Sequence, residues 1–408
     1  MDPFEATLAV FRALWLIIAA TWWLFLPLIL FLVFRMAWLF YIQTRYKMGL
    51  KWVMLEIKIP REILKTPKAM EQIFANFHGM DPDVKWHEKW FLGMVPPWAS
   101  WELVGYAGGV YFYVRVYKIF RNLAEAAIYA QYPSAEIREA NDYTELLPKD
   151  LPNKAYDIFG SNFILVKDDA YPIRTYEYFE ALEEERRVDP MAAITEVMSK
   201  LKEGEMIWLQ ILIEPIPADW VAKGDAAVNK LLGVKETKKA SLISEIVGGF
   251  GDALFPSEKE EKLEPKPPAP PPGAGDMIKG IGAKTAKIAF RTNIRFIVID
   301  NRERFTKANV AAVFGYFSQF NTQNLNAFKP DKAVITKGKW PFKKWKAERR
   351  KKFLYQMYLA REFAARSSIL NIEELAAIFH FPIQIVEAPK LQRIEAKKGE
   401  PPPNLPIA

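Results

Sequence analysis

The stretch from Trp101 to Tyr117, WELVGYAGGVYFYVRVY, contains two segments of alternating side chains on either side of Ala107-Gly108-Gly109. Alternation with a period of two indicates β-strands, and a glycine pair between them is typical of a tight hairpin turn. In the second segment every other residue is apolar, which places Val110, Phe112, Val114 and Val116 on one face of the strand. We therefore predict a β-hairpin whose valine-rich face is covered by helices.

The segments on both sides of this hairpin complete a recognisable order of elements. Trp52 to Pro60 alternates as a strand, and Thr66-Pro67 is typical of an N-cap followed by proline at the first helical position. After the hairpin come an apolar helix pattern from Phe120 to Gln131 and a short strand from Ala135 to Asn141. The order β-α-β-β-α-β predicts a first ferredoxin-like unit.

A second unit of the same kind is predicted further along the chain. Phe159 to Val166 and Met206 to Ile213 have strand patterns, and the helix between them begins at Asp189-Pro190. Asn293 to Asp300 is a third strand pattern and precedes another apolar helix stripe. Lys262 to Gly275 is rich in proline and predicts a solvated linker within a long insertion.

The predicted fold class is therefore α+β, with an N-terminal transmembrane helix and two ferredoxin-like (βαββαβ-type) units, the second with a long insertion and Pro-rich linker. The predicted segments, in chain order, are a short extracytoplasmic N-terminus (1–12), a transmembrane or interfacial helix (13–44), the first ferredoxin-like domain (45–150), the first part of the second α+β domain (151–260), the Pro-rich linker (261–275), the second part of that domain (276–340), a basic helix (341–368), and a C-terminal docking helix with a Pro-rich tail (369–408).

The N-terminal segment predicts the location of the protein. Ala13 to Phe34 comprises 22 residues without a charge, enough for a helix to cross a hydrocarbon core of roughly 30 Å. A cleavable signal peptide is the alternative, but the apolar run is too long and no small-residue cleavage site follows it. One arginine precedes the span, whereas Arg35, Arg45, Lys47 and Lys51 follow it. The excess of cations after the span predicts a single-pass protein of the cytoplasmic (inner) membrane with its bulk in the cytoplasm.

The composition argues against several classes of catalytic site. The 408 residues include no cysteine, and the three histidines, His78, His87 and His380, are too widely spaced for a local metal motif. The sequence has neither a Gly-x-x-x-x-Gly-Lys-Ser/Thr phosphate loop nor a Gly-x-Ser-x-Gly elbow. We therefore predict a protein that is not an enzyme, with no catalytic residues, cofactor or metal.

A strongly basic segment is the main candidate for a binding surface. Lys329 to Arg366 contains thirteen Lys and Arg against three Asp and Glu, with aromatic residues interleaved. Such a segment can bind nucleic-acid phosphates or anionic lipids, and a solvated helix face whose aromatics pack on the second unit explains the same pattern. The candidate contact residues are Lys343, Lys344, Lys346, Arg349, Arg350, Lys351 and Lys352.

A glycine-containing motif offers a second, local candidate. Residues 278–286, IKGIGAKTA, resemble the hairpin turn of helix-hairpin-helix DNA-binding modules, in which exposed backbone amides contact a phosphate. Such a module needs a helix before the turn, and the Pro-Gly linker occupies that place. An ordinary helix entry is the alternative prediction.

Three further stretches together resemble a known family. They are Asp189 to Pro215, Asn293 to Asp300 with its following helix and Phe320-Asn321, and Leu370 to Pro382 with its continuation to Pro401-Pro402-Pro403. This pattern, clearest from about Tyr156 to Pro406, resembles the region before the motor domain in membrane-anchored conjugative-transfer and type IV secretion ATPases of the HerA–FtsK superfamily. In that family the Pro-rich stretch leads into a P-loop domain, whereas this chain ends at Ala408.

The resemblance implies a membrane-anchored, non-catalytic scaffold that positions a type IV secretion or conjugative-transfer-like ATPase at the membrane. The expected partners are the membrane, a P-loop ATPase subunit on a separate chain and further copies of this chain, with DNA as an open possibility. Asn371-Ile372-Glu373-Glu374 has the spacing of a capping box, and the helix that it opens is the candidate docking element through Leu375, Ile378, Phe379 and Pro382. The alternative function is a membrane-tethered nucleic-acid-binding protein that uses the basic helix.

Overall fold

The computed structural model describes residues 3–59, 65–80, 84–180, 189–232, 273–338 and 340–382. The described residues form two compact units, one within Met1–Lys51 and Pro82–Pro97 and the other within Trp52–Asp81 and Trp98–Ala408. The predicted linker 261–275 lies outside the described residues except for its last three positions, and the predicted tail lies outside them from residue 383 onward.

The first unit is built on one long helix, α1 (Pro3–Gly49). It extends beyond the predicted residues 13–44 at both ends, and Pro27 lies inside it without ending it. The part from Leu26 to Gly49 has a mean hydropathy of 1.8 and almost no burial within the structure. By length and composition, α1 can therefore cross a membrane.

A short segment packs beside α1 in the same unit. It contains a π-helical turn at Glu88–Leu92, and the Trp38 indole N–H donates to the Trp90 carbonyl at 3.0 Å. Gly93 has φ of +70°, and a Cβ there would lie 2.4 Å from the Ile42 carbonyl oxygen. Because only glycine tolerates both constraints, this residue fixes the close approach of the segment to α1.

Among its described residues, the second unit contains nine strands and nine α-helices, besides short 3₁₀ turns. The strands are β1 (Trp52–Lys58), β2 (Ala99–Tyr106), β3 (Gly109–Tyr117), β4 (Glu136–Glu139), β5 (Tyr156–Leu165), β6 (Met206–Pro215), β7 (Ala289–Asn301), β8 (Phe328–Pro330) and β9 (Ser368–Asn371). The helices are α2 (Lys68–Phe77), α3 (Arg121–Gln131), α4 (Tyr176–Glu180), α5 (Pro190–Ser199), α6 (Val221–Leu231), α7 (Ala274–Thr285), α8 (Ala308–Ser318), α9 (Lys343–Ala360) and α10 (Ile372–Ile378).

All nine strands belong to one antiparallel sheet. The order is β4-β1-β3-β2-β6-β7-β5-β8, and β9 pairs with β7 beyond the end of its pairing with β5. The predicted hairpin is confirmed as β2 and β3, joined at Ala107 and Gly108, both with positive φ. The two halves of the sheet meet where β2 pairs with β6 from Ala99↔Ile213 to Tyr106↔Met206. Helix α1 includes the first five residues, 45–49, of the predicted first ferredoxin-like domain.

The two faces of the sheet bury separate cores. Helices α2, α3, α5, α8 and α10 contribute to the larger core, which contains the whole predicted valine-rich face of β3. Helix α9 covers part of the other face, where Leu354, Tyr355 and Tyr358 pack with Trp208 and Ile297. The alternation of side chains along each central strand thus supplies both cores at once.

The glycine motif at residues 278–286 is not a turn. Gly280 and Gly282 lie in the interior of α7, which begins at Ala274, within the last residues of the predicted linker 261–275. The entry of this helix therefore precedes the motif, and a helix-hairpin-helix turn does not form here. The backbone amides of the two glycines follow the helical path, so they are not exposed for binding phosphate.

Candidate functional site

The predicted basic helix is shorter than expected but lies where a surface can form. Helix α9 ends at Ala360 instead of continuing to 368, and it buries Leu354, Tyr355, Met357 and Tyr358. Its close approach to the sheet depends on Gly160 in β5. A Cβ at that position would lie 2.3 Å from the Phe296 carbonyl oxygen and 2.7 Å from Leu354 Cδ2.

A buried arginine fixes the C-terminal end of α9. Arg361 has a left-handed backbone conformation and follows the last helical residue. Its Nε and Nη2 donate to the two carboxylate oxygens of Glu102 at 2.8 and 3.1 Å, and Nη1 donates to Asp142 at 2.7 Å. Arg361 and Glu102 are both fully buried, so this fork-like pair connects α9 to the middle of the sheet.

The charges in this network shift one another's pKa values. Burial alone would raise the pKa of Glu102, but the charge and hydrogen bonds of Arg361 hold it below its ordinary value. The pKa of Asp142 is lowered by the same guanidinium against the effect of burial. Burial alone would lower the pKa of Arg361, whereas Glu102 raises it well above the ordinary value. The network is therefore a closed set of charges that stabilise one another.

A second buried arginine binds the last turn of α9 from the sheet. Arg295 in β7 donates to the carbonyl oxygens of Met357 at 2.8 Å and Glu362 at 2.7 Å. It also donates to Gln210 and Asn162 at 3.0 Å each. Burial lowers the pKa of Arg295 to about 10. The last carbonyls of a helix have no partner within the helix, so Arg295 satisfies backbone groups that would otherwise be buried without hydrogen bonds.

The seven predicted basic residues divide into two groups. Lys351 is paired with Asp157 at 2.6 Å, and Arg350 donates to the Lys337 carbonyl at 2.8 Å, so both serve the packing of α9. Lys346 is half-buried. The exposed members are Lys343, Lys344, Arg349 and Lys352. These four cations form the part of the predicted site that a ligand can reach.

Four large aromatic side chains are exposed beside these cations. The exposed fractions are 82% for Trp340, 74% for Phe342, 60% for Trp345 and 58% for Phe353. The guanidinium of Arg349 lies 5.6 Å from the ring centre of Trp345, in cation–π geometry. The alternative prediction, that the interleaved aromatics pack on the second unit, holds for Tyr355 and Tyr358 only. We call the four exposed cations and the four exposed aromatic residues the aromatic–basic surface.

The predicted docking helix has a different role from the one expected. Its capping box is confirmed, because Asn371 accepts from the Glu374 amide and Glu374 accepts from the Asn371 amide. Leu375, Ile378 and Phe379, however, are completely buried in the larger core. Their side chains therefore present no surface to a partner in this fold, and only Pro382 of the four predicted residues is partly exposed.

Side chains that the sequence analysis did not select hold α10 in place. Glu374 pairs with Lys284 at 3.0 Å, with both side chains fully buried. Burial raises the pKa of Glu374 in spite of that lysine. His380 bonds to the Asp189 carboxylate at 2.9 Å, and the Tyr316 hydroxyl donates to the Ile378 carbonyl at 2.6 Å. These contacts join α10 and the residues after it to three other segments of the chain.

One sequence signal could have identified the buried network. Glu102, Asn162, Gln210 and Arg295 are polar residues within strands that are otherwise strongly apolar. A buried polar group needs a hydrogen-bonded partner, so such residues indicate a shared network. Within the part of the chain that the structure describes, no group of three or more His, Asp and Glu side chains is placed to hold a metal ion.

Comparison with known proteins places this architecture in a family. The family model described as "Domain of unknown function (DUF8128)" matches residues 51–393, which include every described residue of the second unit. The chain belongs to this family. No curated protein matches it. The family match covers the sheet, both cores and the aromatic–basic surface, so these features belong to the family domain, whereas α1 precedes it.

Proposed function

We propose that this protein is a membrane-anchored, non-catalytic scaffold that holds a translocation ATPase, carried on a separate chain, at the cytoplasmic membrane. The proposal combines an apolar N-terminal helix with a domain whose buried charges have fixed partners within the fold. The proposed role comes from the resemblance to the region before the motor domain in conjugative-transfer and type IV secretion ATPases.

The observation that carries the proposal is the way the resembling stretches associate. The first and second stretches are separated by 77 residues in the sequence, and the second and third by 48. In the fold, the Asp189 side chain that caps α5 also bonds to His380, and Gln319 donates to the Pro190 carbonyl at 3.0 Å. Strands β6 and β7, which belong to two of the stretches, are direct neighbours. Because the three resembling stretches pack together in one part of the fold, their resemblance to the ATPase family supports a common origin with that family better than three scattered stretches would.

The sheet also supports the proposal of two ferredoxin-like units. The order β4-β1-β3-β2 in the first half corresponds to β8-β5-β7-β6 in the second, and in each half helices follow the first and third strands. The second strands of the two halves, β2 and β6, pair antiparallel with each other. If the two halves are related by a pseudo-two-fold axis, the equivalent strand of each half should pair with its counterpart, as β2 and β6 do.

Features of the first unit support membrane anchoring. Helix α1 is long and apolar enough to span a bilayer, and its flanking segment exposes Trp86, Phe91 and Leu92. Aromatic residues are enriched where membrane helices meet the interface. We expect the N-terminus of α1 outside the cytoplasm and its C-terminus inside, because the cations follow the span.

Orientation can be tested with single cysteines because the chain has none. Phe4 and Met48 lie near the two ends of α1 and are exposed. In intact cells, Phe4→Cys should react with a membrane-impermeant thiol reagent and Met48→Cys should react only after lysis. The reverse pattern would contradict the orientation, and recovery of either variant in the soluble fraction would contradict the anchor.

The scaffold role is tested by co-purification from native membranes in mild detergent. We expect a P-loop ATPase to co-purify with the full chain, and the chain alone not to hydrolyse ATP. Because Asn371 to Phe381 belong to the core, a truncation that tests the tail has to begin after Pro382. Loss of the ATPase on this truncation, with unchanged unfolding of the remaining chain, would assign docking to residues 383–408. ATP hydrolysis by the chain alone, or the absence of any P-loop ATPase, would refute the proposal.

A further inference from the structure

The start of α9 exposes an amount of apolar surface that is unusual for a soluble face. Trp340, Phe342 and Trp345 lie within six residues of one another, and each is at least 60% exposed. Large exposed aromatic groups that cluster together mark binding surfaces, since a side chain left in water contributes nothing to the core. The cluster therefore needs an explanation beyond the packing of α9.

Two backbone features mark the chain at the start of α9. A Cβ on Gly338 would lie 1.8 Å from the Lys343 carbonyl oxygen, so the backbone passes very close to the start of α9. Phe342 itself has φ of +63°, an uncommon conformation for a bulky residue. Phe342 directly precedes Lys343 and Lys344, so exposed aromatic and basic side chains adjoin one another at the start of α9.

The exposed face of α9 continues the same combination of side chains. Trp345, Arg349 and Phe353 follow one another at intervals of four residues, which places them on one side of a helix. Lys352, seven residues after Trp345, lies on the same side. The opposite side carries the buried residues Leu354 and Tyr358. Trp345, Arg349, Lys352 and Phe353 thus form a stripe along the solvent side of α9, and Lys343 and Lys344 are exposed at the N-terminal end of the same helix.

The chemistry of this stripe fits the headgroup region of an anionic membrane. Tryptophan and phenylalanine insert at the boundary between headgroups and acyl chains, while flanking lysines and arginines attract anionic lipids. The only acidic residue within α9 is Glu348, which lies 3.8 Å from both Arg302 and Lys351. A single-stranded nucleic acid would also use cations and aromatic rings, but anchoring by α1, as proposed above, would keep the chain at a lipid surface at all times.

We infer that the aromatic–basic surface is a second, peripheral membrane contact that inserts its rings at the surface of an anionic bilayer. This inference rests on the anchoring part of the proposed function. Docking of this face would add to the anchor and would make the placement of the second unit dependent on lipid composition.

The experiment uses the full chain reconstituted into vesicles, with one cysteine labelled by an environment-sensitive fluorophore. Gln356→Cys places the label on the exposed side of α9, and Ala311→Cys places it on the exposed side of α8, which packs on the other face of the sheet. The vesicles contain phosphatidylcholine alone or phosphatidylcholine with phosphatidylserine. Emission wavelength and quenching by acrylamide report whether each label is shielded from water.

We expect phosphatidylserine to shift the emission to the blue and to reduce quenching at position 356 but not at position 311. The variant Lys343→Gln/Lys344→Gln should lower the ratio of docked to undocked protein by roughly fivefold per cation removed. Trp345→Ser/Phe353→Ser should abolish the blue shift. All four side chains are exposed, so unchanged circular dichroism would verify that both variants fold.

Two results would overturn the inference. One is a label at position 356 that stays equally quenched in both kinds of vesicle. The other is protection of that label by a single-stranded oligonucleotide but not by phosphatidylserine, which would assign the surface to nucleic acid. Flotation with phosphatidylcholine vesicles alone tests the anchor separately, so failure of anchoring and failure of docking give different results.

Discussion

Removal of the Arg361 side chain should destabilise the second unit strongly. Arg361→Met would leave the carboxylate of Glu102 fully buried without its bidentate partner. The remaining donors to Glu102 would be Ser100, Tyr143 and, at 3.2 Å, Gln210. Breaking a buried pair by removing one partner costs about 3–5 kcal/mol, because an uncompensated charge remains in a region of low dielectric constant. A total stability of about 5–15 kcal/mol is usual for a domain, so the loss would be a large fraction of it.

Two matched variants isolate the cause. Glu102→Leu/Arg361→Met removes both fully buried charges, and we expect it to recover most of the lost stability, because the one carboxylate that still loses Arg361 is the half-buried Asp142, which keeps its hydrogen bonds from Thr144. The control Lys351→Met changes a residue within α9 and breaks its more exposed ion pair with Asp157. We expect it to lower the free energy of unfolding by at most about 1 kcal/mol. Comparing the three variants shows whether the loss of stability comes from leaving a buried charge without a partner or from losing an ion pair of any kind.

The assay is urea unfolding of the full chain in detergent, followed by circular dichroism and extrapolated to zero denaturant. Hydrogen exchange adds a local readout, since the amides in the last turns of α9 should lose protection when Arg361 no longer holds them. The reasoning would be refuted if Arg361→Met unfolded within about 1 kcal/mol of the unaltered chain, or if the double variant were no more stable than the single one.

Acid should destabilise the fold. The pKa of Glu102 is lower in the folded than in the unfolded chain, so its contribution to stability is complete above the ordinary pKa of 4.5 and is lost as the pH falls. Glu102→Gln should therefore be less stable than the unaltered chain at neutral pH but approach its stability in urea titrations at acid pH. A difference in unfolding free energy that does not narrow with acid would contradict this assignment. Gly160→Ala should destabilise the fold by about 1–3 kcal/mol, because the added Cβ would collide with the Phe296 carbonyl. Gly282 lies inside α7 with open space around it, so Gly282→Ala should raise the melting temperature by reducing the entropy of the unfolded chain. If residues 278–286 instead bound phosphate through a glycine turn, Gly282→Ala would reduce binding of DNA. Asp189→Ala should cost about 0.5–2 kcal/mol of N-cap energy in the same denaturation assay, and the loss of its bond to His380 should add to this, so an unchanged midpoint would argue against the cap.

Much of the local structure could be predicted because its physical causes are local. The hairpin Trp101 to Tyr117 follows from a period of two and a glycine pair, and the starts of α5 and α10 follow from capping residues at fixed offsets. The boundaries were less accurate. Helix α9 ends at Ala360, eight residues before the predicted end at 368, because a buried carboxylate from a strand far away in the sequence draws the next residue, Arg361, into the fold.

The candidate site was predicted in composition but not in detail. The sequence contains the basic residues of α9 and the aromatic residues between them, and an 18-residue helix must bury part of its surface. Which lysine remains free depends on partners such as Asp157, nearly 200 residues away along the chain. The sequence also predicted Leu375, Ile378 and Phe379 at a binding surface. This prediction was wrong because a docking helix and a core helix have the same apolar pattern, and only the tertiary contacts distinguish them.

The sequence by itself determined the apolar N-terminal helix, the alternation of strands and helices, and the concentration of positive charge near residue 350, because each depends on neighbours within one or two turns. Tertiary structure alone decided that β2 pairs with β6 to join both halves in one sheet, that Arg361 and Arg295 hold α9, and that four aromatic rings stay in solvent. The physical reason is that strand pairing and the burial of charge are interactions between residues distant in sequence, whose partners become defined only when the whole sheet has formed.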